Sequence, residues 1–176
     1  MTQQTIVIVN TGCANISSVK FALERLGVSV TVSDDPTVIK GADKVFLPGV
    51  GAAGAAMTSI TAKQLIPTLQ GLTQPVLGVC LGMQLMVEQS DEATTGTIDC
   101  LKLLPGHVKR MQAGELRLPH MGWNTISPVG DSPLFKGLGE GTYFYFVHSF
   151  AVPVYEHTLA SCEYGQTFSA AIQHNN

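Results

Sequence analysis

The sequence predicts an α/β fold: a mostly parallel central sheet flanked by helices, with antiparallel strands appended to it, over a single domain spanning residues 1–176. Two observations carry this. Short β-branched runs alternate with helical stretches over the first two-fifths of the chain, the arrangement that builds a parallel sheet covered on both faces. After Glu88 the pattern changes to short β-type runs punctuated by Gly and Pro, which is how antiparallel strands read. A chain of 176 residues is long enough to bury roughly two-thirds of its unfolded surface in one core.

Thr5 to Val9 is a near-continuous apolar run, as expected of a strand buried on both faces. Ile16, Val19, Leu23 and Leu26 recur at spacings of three, four and three, a helical stripe that Gly27 closes. Val28 to Val32 forms a second strand, followed by a turn at Asp34-Asp35-Pro36. Lys44 to Leu47 is a third strand, running into Pro48-Gly49-Val50-Gly51. Met57 to Leu69 is helical in composition with a break expected at Pro67. Pro75 to Gly78 is a fourth strand and Leu81 to Glu88 the helix after it.

Ser90 to Gly96 is polar and loop-like. Leu101 to Leu104, Val108 to Met111, Trp123 to Ser127, Tyr143 to His148 and Thr158 to Glu163 are the antiparallel candidates. Phe168 to Gln173 is a last strand, and His174-Asn175-Asn176 reads as a turn. An α/β domain would continue with a further strand and a covering helix, so a C-terminal strand and helix are expected to be missing from this chain.

Composition excludes several classes of function. Charged residues make up 13% of the chain and the net charge is −3, which offers no basic footprint for nucleic acid. No apolar run approaches the roughly 20 residues that span a bilayer, and the N-terminus has no signal-peptide zones. The four cysteines, Cys13, Cys80, Cys100 and Cys162, form no CxxC pair, so neither a metal site nor a redox dithiol is indicated. A reducing cytoplasm is the expected compartment, with no cofactor.

The sharpest feature is Gly78-Val79-Cys80-Leu81-Gly82, which puts a thiol at a strand-to-helix junction. A nucleophile at such a turn needs small neighbours, and the flanking glycines provide the room. Free N–H groups at a helix start also favour a thiolate. The alternative at this point is a structural cysteine beside a helix. Acyl transfer to a thiolate further needs an oxyanion hole and a base. Leu81, the residue after the nucleophile, can donate its N–H, and Pro48-Gly49-Val50-Gly51 can present a second one or be a plain loop. Of the histidines, His107 and His157 lie in polar stretches, and His148 ends an aromatic strand as a core or pocket residue. His120 lies in Leu118-Pro119-His120-Met121-Gly122-Trp123-Asn124, a run that reads as a surface loop with a task. None of them is placed beside Cys80 by sequence.

Gly-Val-Cys80-Leu-Gly-Met-Gln84 resembles the nucleophile elbow of the class I, triad-type glutamine amidotransferases, and Pro48-Gly49-Val50-Gly51 resembles their oxyanion loop. Leu-Pro-His120-Met-Gly-Trp123-Asn124 and Tyr-Phe-Tyr-Phe-Val-His148-Ser149-Phe150 are similar to signatures of one branch, the glutaminase subunits of imidazole glycerol phosphate synthase. The likeness extends from Thr11-Gly12-Cys13-Ala14-Asn15 to Ala170-Ala171.

The resemblance implies an enzyme in which Cys80 attacks the side-chain amide of glutamine, forms a thioester and releases ammonia. It implies that Gln84 and the backbone of Gly49, Gly51, Ser149 and Phe150 bind glutamine, and that Val50 turns its N–H toward the oxyanion when a partner signals. That partner is a (β/α)8 cyclase subunit, forming a heterodimer and taking the ammonia for histidine biosynthesis. Pro119, His120, Met121, Trp123 and Asn124 would lie at the interface with it. The family completes its triad from a His-Pro-Glu motif; none occurs in this sequence, and the triad histidine and glutamate are expected beyond Asn176. The other readings are a non-catalytic docking or regulatory subunit of the cyclase, or a different Cys-elbow hydrolase.

Overall fold

The computed structural model describes residues 4–139 and 141–176. The described chain divides into two compact units, one running to Pro105 and taking in Asn176, the other Gly106–Asn175.

The first unit is built on four parallel strands in the order β2-β1-β3-β4: β1 (Ile6–Val9), β2 (Val30–Ser33), β3 (Lys44–Gly49) and β4 (Val76–Cys80). Every residue of β1 is buried, as its unbroken apolar run predicts. Helix α1 (Ile16–Arg25) starts at Asn15, whose side chain accepts the N–H of Ser18, and ends at Gly27 with a φ of 75°. Leu26 falls outside the helix and is exposed, so the apolar stripe is one residue shorter than its spacing suggests.

The turn at Asp34-Asp35-Pro36 leads into a short helix, α2 (Pro36–Lys40). Its start is fixed by the Asp35 carboxylate, which accepts the Thr37 N–H at 2.7 Å, and by Pro36 at the head of the helix. The helical stretch over 57–69 is broken, as expected, into α3 (Ala53–Ala62) and α4 (Ile66–Gln70). The break falls at Lys63–Leu65, where Gln64 has a φ of 55°, and not at Pro67. Pro67 occupies the first turn of α4, where its missing N–H has no helical acceptor to lose.

Helix α5 (Leu81–Gln84) is one turn long, not the eight residues expected. Past Gln84 the chain runs against residues 100–103. Leu101 N–H bonds the Leu85 carbonyl at 2.9 Å, Leu103 N–H that of Met86 at 2.8 Å, Lys102 N–H that of Val87 at 3.0 Å, and Cys100 N–H that of Glu88 at 2.8 Å. Those bonds also hold Leu101 to Leu104 as an irregular segment where a strand was expected. Two short strands, β5 (Gln89–Ser90) and β6 (Ile98–Asp99), bracket the polar loop. The core of this unit gathers Val9, Leu47, Ile60, Leu81, Leu85 and Leu101.

The second unit is antiparallel: β7 (His107–Arg110), β8 (His120–Thr125), β9 (Ser127–Pro128), β10 (Tyr143–His148), β11 (Phe150–Pro153), β12 (Thr158–Glu163) and β13 (Thr167–Ile172). β8 pairs with β10 from Thr125↔Tyr143 to His120↔His148. β11 pairs with β7 and β13, and β12 with β13 and β9. Phe168, Cys162, Ala151 and Met111 form its core. His107 opens a strand instead of lying in a loop.

Candidate active site

The parallel register places Gly49, the last residue of β3, beside Cys80, the last of β4. Ligands in such sheets bind beyond these carboxyl ends. Cys80 has φ 56° and ψ −122°, a conformation strained for any residue with a Cβ, and its side chain is exposed. The chain therefore pivots on Cys80 between strand and helix, as a nucleophile elbow requires.

Three glycines make this pivot possible. A Cβ on Gly78 would lie 2.7 Å from the Met83 nitrogen, and one on Gly49 would lie 2.7 Å from the Gly82 nitrogen. A Cβ on Gly82 would run into the carbonyl oxygen of Leu47. The strand ends and the first turn of α5 thus press backbone against backbone. Leu81 anchors the turn: its side chain is buried, its carbonyl accepts the Leu85 N–H at 2.8 Å, and its own N–H, first in the helix, has no intrahelical acceptor. Gln84, at the end of the turn, is half-buried.

The loop expected to form the oxyanion hole is poised differently. Val50 is exposed and its N–H donates to the Cys13 carbonyl at 3.0 Å, so it does not point into an anion site. Gly51 has a φ of 88°, and Ala53, which opens α3, donates its N–H to the Glu92 carboxylate at 3.1 Å. Spacing alone gave no signal for either partner, because both come from loops distant in sequence.

Burial raises the thiols of Cys100 and Cys162 to about 11, so both remain protonated and inert near neutrality. Cys80 is exposed and Cys13 half-buried. All five histidines lie after residue 105, and the first unit contains none. Among the described residues no group of His, Cys, Asp and Glu could hold a metal ion, and no helix is long and apolar enough to cross a membrane.

Ser149 and Phe150 belong to the second unit, at the bend where the chain leaves β10 for β11. The Ser149 carbonyl accepts the Met111 N–H at 2.9 Å. The segment from Pro119 to Asn124 is not the surface loop expected: from His120 onward it is strand β8. Its alternation sorts the residues. Met121 and Trp123 are 62% and 69% exposed on one face, beside Val147 and Tyr145 of β10, whereas His120 is 3% exposed on the other. Trp123 meets Tyr145 edge to face at 5.5 Å between centroids and is not a core residue. His120 lies stacked between Phe146 and Tyr164, with centroids at 4.9 and 4.0 Å, and Asn124 is half-buried with its amide bonded to the Glu163 carbonyl at 2.9 Å. Neither side chain stands on the exposed face with Trp123.

The profile of the glutamine amidotransferase class-I family matches residues 7–176. The chain belongs to that family. An imidazole glycerol phosphate synthase subunit HisH from Colwellia psychrerythraea is 57% identical, the match covering 100% of this chain and 84% of the relative. The subunit of the same name from Vibrio cholerae is 54% identical over 98% of this chain and 87% of its own length. Among solved structures, a glutamine amidotransferase from Thermotoga maritima superposes with a TM-score of 0.61 at 17% identity, covering 94% of this chain and 74% of that one. That likeness speaks for the amidotransferase fold.

Proposed function

We infer that this chain is the glutaminase subunit of an imidazole glycerol phosphate synthase, hydrolysing glutamine to glutamate and ammonia for histidine biosynthesis. The identity of 54–57% to HisH subunits across essentially the whole chain carries the reading of the pathway. The positive φ of Cys80 at the strand-to-helix pivot carries the reading of the nucleophile.

The Cys80 sulfur attacks the side-chain amide carbon, and the carbonyl oxygen becomes an oxyanion facing the Leu81 N–H. The intermediate collapses, the C–N bond breaks, and the NH2 group takes up the proton that the thiol gave up and leaves as ammonia. Water then attacks the thioester, returning the thiol and glutamate. Gly49, Gly51 and Gln84 hold the glutamine beside Cys80 in the first unit. Val50 supplies a second oxyanion donor once its peptide leaves the Cys13 carbonyl. The ammonia passes to a (β/α)8 cyclase subunit, the heterodimer partner, in the cytoplasm. The exposed face of Met121, Trp123, Tyr143, Tyr145 and Val147, with Pro119 at its edge, is the docking surface, since a contiguous apolar patch of this kind suits a partner better than water.

The test is the full gene product with its cyclase. Cys80→Ser should abolish glutamine hydrolysis and leave ammonia-dependent cyclase turnover intact. A diazoketone analogue of glutamine should alkylate Cys80 alone among the four cysteines. Undiminished hydrolysis in Cys80→Ala would refute the assignment.

A further inference from the structure

Helix α3 carries three hydroxyl side chains, and one of them behaves unlike the others. Thr58 and Thr61 turn back on their own helix, where Thr58 Oγ1 donates to the Gly54 carbonyl at 2.9 Å and Thr61 Oγ1 to the Met57 carbonyl at 2.7 Å. That is the usual resort of a hydroxyl within a helix. Ser59 does not take it. Its Oγ donates outward at 2.5 Å to the carbonyl of Thr11, 48 residues earlier, in the loop that follows β1.

The loop is pressed onto the helix at this point. Gly12 has a φ of 81°, and a Cβ added to it would lie 2.7 Å from Ser59 Oγ, an approach that only glycine allows. The Asn10 side chain accepts the Gly12 N–H at 3.2 Å. Thr11 is 1% exposed, and its Oγ1 accepts the Cys13 N–H at 3.3 Å. Side chains thus fix Thr11, Gly12 and Cys13 in turn, and the Cys13 carbonyl is the group that takes the Val50 N–H.

These bonds close a ring that lies wholly in the first unit. Val50 runs through Gly51 into α3, Ser59 of α3 holds Thr11, Thr11 holds Cys13, and Cys13 holds Val50. A carbonyl on a free loop could follow the Val50 peptide as it turned. A carbonyl tied to the buried Thr11 and to α3 cannot, so the Val50 N–H must leave it outright. Packing does not call for a hydroxyl at position 59, since alanine would fit the same space and favour the helix.

We propose that Ser59 and Thr11 are positioning residues for the oxyanion hole: they hold the Cys13 carbonyl in place, and it keeps the Val50 N–H out of the hole until a partner docks. The proposal rests on the reading above that Val50 supplies the second oxyanion donor. The ring sets how much glutamine is hydrolysed when no cyclase is bound.

The experiment uses the full gene product, with and without its cyclase. Ser59→Ala removes the donor to Thr11, and Thr11→Val removes the acceptor for Cys13 while keeping the shape of the side chain. Nitrogen-15 NMR without cyclase should show the Val50 amide exchanging with solvent deuterium about two- to tenfold faster in either variant, the range set by the net worth of one hydrogen bond. Glutamine hydrolysis without cyclase should rise by a similar factor. With saturating cyclase it should change by less than about twofold, because docking already favours the turned peptide. Ser59→Thr restores a hydroxyl and should return both the exchange and the unpartnered rate toward the parent values. Unchanged Val50 exchange in both variants, or a fall in hydrolysis both with and without cyclase, overturns the proposal. Faster exchange with unchanged hydrolysis refutes Val50 as an oxyanion donor while supporting the ring as its holder. Should Thr11→Val not fold, Ser59→Ala and its rescue by Ser59→Thr decide.

Discussion

The strain at Cys80 should be measurable as stability. A residue with a Cβ held at φ 56° and ψ −122° is destabilised by about 1–3 kcal/mol, and glycine escapes most of that. Glycine in turn has about 0.5–1 kcal/mol more conformational entropy to lose on folding than alanine. Cys80→Gly should therefore be more stable than Cys80→Ala by about 0.5–2 kcal/mol, although both lack the thiol. With a urea m-value of about 2 kcal/mol/M, the midpoint moves by roughly 0.25–1 M. The probe has to be chosen by unit. Among the described residues all the α-helices lie in the first unit, and Trp123 and all four tyrosines lie in the second. Far-UV circular dichroism at the helical band thus follows the unit that holds Cys80, and intrinsic fluorescence serves as the internal control. A Cys80→Gly variant no more stable than Cys80→Ala would show that the pivot stores no strain and would remove the structural argument for a nucleophile elbow.

Gly82→Ala should destabilise the first unit by about 3 kcal/mol or more and suppress hydrolysis, because its Cβ meets the Leu47 carbonyl, which is backbone and cannot turn aside; a neutral result in urea denaturation would contradict the packing described. Trp123→Ala should leave the melting temperature of the free chain within about two degrees and weaken cyclase association by roughly 2 kcal/mol; unfolding of the free chain would place Trp123 in the core and refute the docking surface. His120 and His148 titrate below their usual range when folded, so as pH falls through about 6.5 the unfolded chain takes up protons that the folded one refuses. Fluorescence-monitored stability of the second unit should be constant above that pH and fall below it, by up to about 1.4 kcal/mol per pH unit for each histidine, with a shallower slope in His120→Phe.

What was legible in the sequence was whatever steric necessity fixes locally. The unbroken apolar run of β1 announces burial on both faces, and Gly78 and Gly82 announce a turn too crowded for side chains. What was not legible depends on partners far along the chain. Leu81 to Glu88 has the composition of a longer helix, but after one turn residues 85–88 bond with residues 100–104, which nothing local announces. The segment around His120 contains Pro119 and Gly122, which suggest a loop. It becomes a strand because β10, some twenty residues on, supplies a matching alternation of exposed and half-buried residues. Once that pairing is drawn, the separation of Trp123 from His120 follows from the two-residue period of a strand.

The two halves of the proposed catalytic machinery are prepared to different degrees. The nucleophile is set by the backbone itself: Cys80 is already turned outward, and the glycines around it admit no other packing. The second oxyanion donor is not set, because the Val50 N–H is spent on the Cys13 carbonyl. Rotating that one peptide would exchange a hydrogen bond worth about 0.5–1.5 kcal/mol net, and Gly49 on its N-terminal side has the backbone freedom to permit it. The return is large, since a missing oxyanion donor lowers turnover by about 10² to 10³. A docked partner therefore needs only a small difference in affinity between the two peptide orientations to switch hydrolysis over a wide range. Such a chain would release little ammonia until a cyclase is present to receive it.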